Sequence, residues 1–507
     1  MQSSTMRPVP SLPGGSAEVG PIQGRFAWLD GPSLILLAAI AVLGVCRAFL
    51  AASIGLTDDE AYYRLWALAP AWSYLDHPPM TGWMIAAGRW VAGDNPLGIR
   101  LATVLTSLLG PIVLWRFAHI LFGPAVARRA VWMVLAMPLM AAGGVIITPD
   151  TPSVLCWGLA AWALAELQVS RNAHWWLAVG VFAGCGLLSK YTNLFMGAGI
   201  LLWLTWGAGN PRWLRSWQLW AGGAIAILLS LPVLLWNAQH EWASFAKQFG
   251  RVGRDQGWTI TYLAELIAAF GGLASPLIAV LATVGLVHAL ASAVRRREPR
   301  HTLLMAGLLP LLGYFLTHSL HGRVQANWLA PLYPAFAICA AIAALLDTRL
   351  GLRRIATWAV PLAFVGSAVI YAHALHPLRM APYSKDPSAQ LHGWAHFAAE
   401  LDAVRAAHGA CWMATSSYAT TGQLAFALKG QVPVMQLDEP LRYVHLPPLD
   451  ARTRSCPALY VELERRHDSS LLHAQFAGVS DLGTRERRYG DVPLARYVVL
   501  LLASPQL

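Results

Sequence analysis

Charged residues are scarce in this sequence. Asp, Glu, Lys and Arg make up 12% of its 507 residues, about half the share found in soluble domains. Together with 56% hydrophobic residues and a mean hydropathy of +0.48, this scarcity argues against a soluble protein and predicts a membrane protein. The net charge of +11 is spread over short clusters between apolar runs. We therefore expect a lipid bilayer, and no nucleic acid, as the partner of the basic residues.

Several functional motifs are also missing. The six cysteines include no CxxC pair and no Cys/His pair with zinc spacing, which argues against a zinc-finger type of site. No Gly-rich phosphate loop is present, so a nucleotide-sugar donor is not expected. Residues 1–30 are rich in Pro, Gly and Ser and are predicted to be a disordered cytoplasmic N-terminus. The apolar run that follows Arg25 is too long for a signal-peptide core.

Apolar runs of nearly membrane-spanning length recur as far as residue 375. Eleven candidate spans lie near residues 32–53, 99–121, 128–147, 151–168, 174–189, 192–208, 217–236, 272–293, 302–319, 328–346 and 355–374. Residues 259–271 are predicted to form a further helix on the membrane surface. When the N-terminus is placed inside, every inner connection is basic, as the positive-inside rule requires. The inner residues are Arg128, Arg129, Arg171, Arg212, Arg215, Arg295, Arg296, Arg297, Arg300, Arg349, Arg353 and Arg354.

The polar residues that can do chemistry fall on the opposite, outer face. They are Asp58, Asp59, Glu60, Asp76, His77, Asp150, Lys190, His240, His318, His321 and Arg323. An odd number of spans places the chain after residue 376 on the outer side as well. The sequence therefore predicts a multi-pass protein of the bacterial inner membrane whose active surface faces the periplasm.

The sequence changes character after residue 376. Amphipathic helices are predicted at 388–408 and 418–429, and short strands near 432–437, 457–463 and 493–502. We therefore expect a transmembrane domain at 31–375 and a small periplasmic α/β domain at 376–507. Cys411 and Cys456 both lie in this domain, in a compartment where disulfides persist, and are predicted to be bonded.

The first outer loop, residues 54–98, carries the densest group of acids. Its many Trp and Tyr residues suit a membrane interface, and two surface helices are predicted near 59–69 and 78–92. Asp58, Asp59 and Glu60 stand together before the first of these helices. Crowded carboxylates can act as a general base or bind a cation. Acids also cap helix N-termini, so the residues alone leave both interpretations open.

Six segments carry a resemblance to a known family. They are DEAYY at 59–63, YLDHPPM at 74–80, TPD at 148–150, LSKY at 188–191, WNAQHEW at 236–242 and RVQANW at 323–328. With them the chain resembles the bacterial branch of the protein O-mannosyltransferases over roughly residues 30–345. That branch includes aminoarabinose transferases of lipid A and galacturonosyltransferases of lipopolysaccharide core. The resemblance implies a C-type glycosyltransferase fold of about eleven spans, followed here by the small α/β domain.

The resemblance also implies a reaction. A sugar would move from a polyprenyl-phosphate donor to a hydroxyl or phosphate acceptor on a lipid, glycan or protein, with inversion at the anomeric carbon. The catalytic residues would be Asp59, the first acid of the Asp-Glu pair and the proposed catalytic carboxylate, and Glu60. The substrate-binding candidates are Asp58, Arg47, Asp76, His77, Asp150, Lys190, Tyr191, His240, Arg323 and Asn327.

Simpler roles stay open for some of these residues. Arg47 and Lys190 could hold the donor phosphate, or could simply extend their charges to the membrane interface. Asp76, His77 and His240 are candidate ligands for a divalent metal ion, but relatives often have Glu-Lys where this chain has Asp76-His77.

Three other functions compete with sugar transfer. A polyprenyl-lipid transporter or flippase would be expected to show internal repeats and polar residues at mid-membrane depth, neither of which is visible here. An oligosaccharide polymerase or ligase would use the same kind of donor but a larger late outer loop. A non-catalytic scaffold would have no reason to gather acids opposite a lysine.

Overall fold

A computed structural model describes residues 30–206, 211–250, 257–346, 350–378 and 386–505 of the chain. The predicted disordered N-terminus therefore falls outside the described residues except for Asp30, and Arg349 also lies outside them. The first two thirds of the described chain are helical, and the last part combines helices with a sheet.

Sixteen helices make up the described chain as far as residue 375. They are α1 (Gly31–Ser53), α2 (Asp58–Leu68), α3 (Met80–Ala92), α4 (Pro96–Phe122), α5 (Pro124–Ala136), α6 (Pro138–Gly143), α7 (Asp150–Ser170), α8 (Trp175–Leu187), α9 (Leu194–Thr205), α10 (Trp217–Gln239), α11 (Ala243–Phe249), α12 (Thr261–Ala274), α13 (Pro276–Arg295), α14 (Pro299–His318), α15 (Tyr333–Leu346) and α16 (Leu350–Leu375). The helices predicted near 59–69 and 78–92 correspond to α2 and α3.

Eight helical segments among the described residues are long and apolar enough to cross a membrane: α1, α4, α7, α10, α13, α14, α15 with the turn before it, and α16. The chain is therefore a multi-span membrane protein. Three further apolar helices near α8, α9 and α12 are shorter, at 10–17 residues. The count of eleven spans stays a prediction.

One predicted span is interrupted. The run 128–147 divides into α5 and α6, with Met137 in an extended conformation between them. Pro138 explains the break, because a proline disfavours helical geometry in the residue before it. The interruption places residues 144–149 in an irregular segment that leads into α7.

The last part of the described chain is an α/β unit, residues 387–505. Its longer elements are α17 (Trp394–Ala407), β1 (Trp412–Thr415), α18 (Tyr418–Ala427), β2 (Val434–Gln436), α19 (Ala451–Ser455), β3 (Ala458–Leu463), α20 (Ser469–Gln475), β4 (Phe476–Tyr489) and β5 (Val492–Pro505). The strands form one sheet in the order β2-β1-β3-β5-β4. β1 pairs in parallel with β2 and β3, whereas β5 pairs antiparallel with β3 and β4.

Two strands of this sheet were not predicted from the sequence. β1 has only four residues, and the edge strand β4 is rich in polar residues, so neither has a strong apolar pattern. β4 pairs only with β5, and an edge strand with exposed faces needs few apolar side chains.

The predicted disulfide is confirmed. Cys411 and Cys456 are bonded, with their Cα atoms 5.8 Å apart. Because β1 and β3 run in parallel, with Trp412 opposite Ala458, the residues just before each strand lie side by side. The bond therefore joins two neighbouring central strands at the same edge.

The α/β unit packs directly on α2. Tyr418, Phe426 and Tyr443 lie against a buried cluster that includes Tyr62 and Trp66 of α2. The unit thereby covers the helix that carries the three adjacent acids.

Candidate active site

The N-terminus of α2 is held by Thr57 and Glu60. The Thr57 hydroxyl accepts a hydrogen bond from the Glu60 N–H at 3.2 Å, and the Thr57 N–H donates to the Glu60 carboxylate at 2.9 Å. This reciprocal pair is a capping box. The capping role therefore falls to these two residues, and the side chains of Asp58 and Asp59 remain available for other contacts.

Glu60 is completely buried beside Arg100 of α4. Its carboxylate accepts two hydrogen bonds from the guanidinium, at 2.6 and 2.7 Å, and neither side chain is exposed. The same carboxylate also accepts from the Ile147 N–H at 3.0 Å. Glu60 thus ties α2 to α4 and to the segment just before the Thr-Pro-Asp motif at 148–150.

Asp59 points the other way and is exposed. One of its carboxylate oxygens accepts a hydrogen bond from the Tyr418 hydroxyl at 3.2 Å. Desolvation by the surrounding protein raises the pKa of Asp59, and the negative charges of Asp58, Glu60 and Asp76 raise it further. Asp59 is therefore an accessible carboxylate with increased basicity, as a general base requires.

Asp58 faces the α/β unit. Its carboxylate accepts from the Gln423 amide at 3.0 Å, and its N–H donates to Gln390 at 3.0 Å. Burial raises the pKa of this carboxyl. Asp58 therefore lies at the interface between α2 and the α/β unit.

Asp76 lies between two cations. It forms ion pairs with Arg442 and with Lys247, the latter at 3.2 Å, and accepts from the Tyr62 hydroxyl at 2.8 Å. Burial alone would raise its pKa, but Arg442, then Lys247 and the Tyr62 hydrogen bond, keep the pKa of Asp76 below its usual value. His77 packs edge-on against the rings of Tyr63 and Trp66.

A second polar group forms where α7 begins. The Lys190 ammonium lies 2.6 Å from one Asp150 oxygen, and Asn327 donates to the other at 3.4 Å. Asp150 and Asn327 also line a cavity of about 300 Å³ between the helices. Residues of three motifs that are far apart in the sequence, TPD, LSKY and RVQANW, therefore contact one another beside this cavity.

The cavity is largely apolar and reaches a buried arginine. Its lining includes Leu139, Trp157, Met196 and Trp203, together with Arg47. Arg47 is 2% exposed. Its guanidinium contacts the Tyr371 hydroxyl at 3.3 Å and the Ser107 carbonyl at 3.5 Å. Within the described part of the chain it forms no ion pair, so an anionic ligand could satisfy its charge.

Backbone and side-chain contacts bind the remaining motifs together. The Met80 N–H donates to the Leu188 carbonyl at 3.0 Å, which joins the Asp-His-Pro-Pro turn to the LSKY segment. The Gln248 amide donates to the Asp76 carbonyl at 2.5 Å. Tyr191 shares a hydrogen bond of 2.7 Å with Ser244. The loop between α1 and α4 is therefore linked to the segments that follow α8 and α10.

Two predicted site residues lie apart from these groups. Arg323 forms an exposed ion pair with Glu265 at 2.7 Å. The His240 ring stacks on Trp236 and contacts its carbonyl at 2.7 Å. Neither residue lines the cavity.

The site residues do not form a set of metal ligands. Among the residues the structure describes, no group of three or more His, Cys, Asp or Glu side chains could hold a metal ion. Asp76 is already engaged by Arg442 and Lys247, and His240 by Trp236. A metal site at Asp76, His77 and His240 therefore stays a prediction. The contacts that Asp76 and His240 already make do not favour it.

Several site residues were not identified from the sequence. Tyr418, Gln423 and Arg442 reach the acids from the α/β unit, about 360 residues along the chain, and no local pattern marks them. Arg100 did carry a signal, because a charged residue inside an apolar run usually has a buried partner.

Comparisons with known proteins agree with this architecture. The sequence profile of the dolichyl-phosphate-mannose-protein mannosyltransferase family matches residues 76–236, about a third of the chain. The resemblance to this group of membrane transferases is therefore confirmed. The fold is that of ArnT from Cupriavidus metallidurans, whose structure bound to undecaprenyl phosphate aligns with a TM-score of 0.64 at 16% identity. That alignment covers 95% of this chain and 100% of ArnT.

Two curated relatives are similar in sequence. The lipid A galacturonosyltransferase RgtD of Rhizobium johnstonii is 26% identical over 287 residues, which are 56% of this chain and 59% of RgtD. The undecaprenyl phosphate-alpha-4-amino-4-deoxy-L-arabinose arabinosyl transferase of Pseudomonas aeruginosa is 29% identical over 171 residues, 32% of this chain and 30% of the relative. The matched regions thus span between about a third and three fifths of these relatives.

Proposed function

We propose that this protein is a membrane glycosyltransferase that moves a sugar from a polyprenyl-phosphate donor to a hydroxyl acceptor at the periplasmic face of the bacterial inner membrane. One observation carries the proposal. Asp59 is an exposed acid without an ion pair among the described residues, whereas its neighbours Glu60 and Asp76 are each paired with arginine. An exposed carboxylate without a paired cation is suited to accept a proton.

The cavity supplies the features that a lipid donor needs. Its apolar lining suits a polyprenyl chain, and the buried guanidinium of Arg47 suits the phosphate. Lys190 adds a second cation near the cavity, held in place by Asp150. We also propose the domain boundaries, with a transferase domain at 31–375 and a periplasmic α/β domain at 376–507.

In the proposed step, Asp59 takes the proton from the acceptor hydroxyl. The acceptor oxygen attacks the anomeric carbon, and the bond from that carbon to the phosphate oxygen breaks. The electron pair leaves with polyprenyl phosphate, whose growing charge is offset by Arg47 and Lys190. A single displacement of this kind inverts the anomeric carbon.

Glu60 has a structural role in this scheme. Its carboxylate is fully buried and already accepts from Arg100, Thr57 and Ile147. It holds α2 in place so that the adjacent Asp59 faces outward. The proposed step uses only side chains of this protein. Measuring sugar transfer with and without a chelator decides whether a metal ion also takes part.

The relatives suggest the acceptor class. RgtD is named for galacturonosyl transfer to lipid A, and we propose lipid A or a similar envelope lipid as the acceptor here. Mass spectrometry of envelope lipids from a deletion strain tests this. A sugar-sized mass should disappear and return with the wild-type gene, but not with Asp59→Asn. An unchanged lipid profile would contradict the proposal.

The proposed orientation makes a topology prediction. Reporter fusions after residues 75 and 400 should both report the periplasm, because basic inner connections alternate with the polar outer ones. A fusion after residue 296 should report the cytoplasm. A cytoplasmic signal at residue 75 or 400 would contradict the proposed orientation.

Replacing Arg47 is expected to weaken donor binding. Arg47→Met preserves most of the side-chain length but removes the charge. Loss of a hydrogen bond to a charged group is typically worth about 1.5–3 kcal/mol, so KM for the donor should rise about 10- to 100-fold with a smaller change in kcat. Arg116→Met is the matched control, because Arg116 pairs with Glu166 and does not line the cavity. Equal effects of the two variants on donor KM would show that Arg47 does not bind the phosphate.

A further inference from the structure

We propose that Tyr418, supplied by the C-terminal α/β unit, is a positioning residue that orients the Asp59 carboxylate toward the acceptor. The proposal rests on the function proposed above. It means that the α/β unit completes the active site of the membrane domain.

The contact itself is direct. The Tyr418 hydroxyl lies 3.2 Å from Oδ1 of Asp59. Burial raises the pKa of the Tyr418 phenol, so the group stays protonated and can only donate to the carboxylate. With Oδ1 occupied, Oδ2 remains to accept the proton of the acceptor. A hydrogen bond of this kind restricts the rotation of an otherwise exposed carboxylate.

The Tyr418 ring is held by two neighbouring side chains. It packs against the Tyr62 ring at 5.1 Å between centroids, and the Arg442 guanidinium lies 5.0 Å from its centre. Tyr418 is also the first residue of α18, whose start is capped by Ser417. The Ser417 hydroxyl donates to the buried Glu462 at 3.1 Å, which anchors this end of the helix to β3.

The whole of α18 is held close to α2. A Cβ atom added at Gly422 would lie 2.7 Å from the backbone of Ala61 and Tyr62, a distance that forces one of the helices to move. Gln423 adds hydrogen bonds to the Leu56 carbonyl at 2.9 Å and to Asp58 at 3.0 Å. The backbones therefore meet at a glycine, and the phenol hydroxyl is placed beside Asp59.

The charges around Asp59 determine in which direction its pKa should change. Asp58, Glu60 and Asp76 raise its pKa, whereas the Tyr418 hydroxyl lowers it. Tyr63 also lies close by, and the Arg442 guanidinium lies against the Tyr418 ring. Removing the hydroxyl should therefore raise the pKa of Asp59. Because the base must be ionised, activity would then begin to fall at a higher pH than in the wild type.

The test is the pH dependence of kcat/KM for Tyr418→Phe, measured on full-length protein with a radiolabelled polyprenyl-phosphate sugar. The acidic limb should move upward by about half to one pH unit, so that kcat/KM on that limb falls about three- to tenfold. Gly422→Ala should shift the limb in the same direction, because it displaces α18.

Tyr460→Phe is the matched control. It removes a phenol hydroxyl from the same α/β unit, where it bonds to Ser416 at 2.6 Å, and its acidic limb should match the wild type. An acidic limb of Tyr418→Phe that superimposes on the wild type, or that moves no further than that of Tyr460→Phe, would overturn the proposal.

Different results would contradict the role of Tyr418 and the proposed function. If the wild type transfers sugar and Asp59→Asn does not, while Tyr418→Phe keeps the wild-type pH profile, only the role of Tyr418 is wrong. If the wild type transfers no sugar, or Asp59→Asn is as active as the wild type, the proposed function is wrong and the role of Tyr418 with it.

Discussion

Asp59→Asn is expected to reduce kcat for sugar transfer by about 10²- to 10⁴-fold, the usual contribution of a general base. Asparagine has the size of aspartate and can still contact Tyr418, but it cannot accept the acceptor's proton. The side chain is exposed and forms no ion pair among the described residues, so the variant should fold and insert normally. The measurement is single-turnover transfer from a radiolabelled donor.

Asp58→Asn is the matched control for this variant. It makes the same chemical change one residue earlier, where the carboxylate contacts Gln423. Asparagine can keep that contact after rotation of its amide, so we expect a loss of less than about tenfold, well below the contribution of a general base. Collapse of Asp58→Asn together with near-normal turnover of Asp59→Asn would assign the base to Asp58.

The second large effect is expected on stability, from Arg100→Leu. This change leaves the Glu60 carboxylate buried without its cation, and breaking a buried ion pair in this way destabilises a protein by about 3–5 kcal/mol. Glu60 also anchors Ile147 and the N-terminus of α2, so disorder should spread to the active site. The thermal unfolding midpoint of the purified protein measures the effect.

Arg323→Leu is the control for the loss of an arginine. Its ion pair with Glu265 is exposed, and exposed pairs contribute little to stability. We expect an unfolding midpoint close to that of the wild type. Equal midpoints for Arg100→Leu and the wild type would show that the Glu60–Arg100 pair does not hold α2 in place.

The helices and motifs that have a local pattern could be predicted from the sequence. Apolar runs predicted the long helices, and the loop at residues 54–98, which is rich in Trp and Tyr, predicted α2 and α3. The Asp-Glu, Thr-Pro-Asp and LSKY motifs were each recognisable from their own residues. That these motifs belong to one site was implied only by the resemblance, because a single sequence contains no distances.

The contacts between distant segments could not be predicted in this way. Nothing near Arg442 shows that it pairs with Asp76, and nothing near Gly422 shows that α2 packs against it. Glu60 and Asp59 are adjacent in sequence, yet one is fully buried and the other exposed. Helix geometry separates neighbouring side chains by about 100°, so their different roles emerge only once the packing partners Arg100 and Tyr418 are known.

The proposed function requires that a sugar leaves a polyprenyl-phosphate carrier and becomes bonded to an acceptor. Its most direct test uses purified protein in vesicles that contain a donor with a radiolabelled sugar and lipid A as the acceptor. We expect the label to move to lipid A with inverted anomeric configuration, and Asp59→Asn to slow this transfer by about 10²- to 10⁴-fold. Label that stays on the carrier while the carrier crosses the bilayer would instead indicate a flippase and contradict the account.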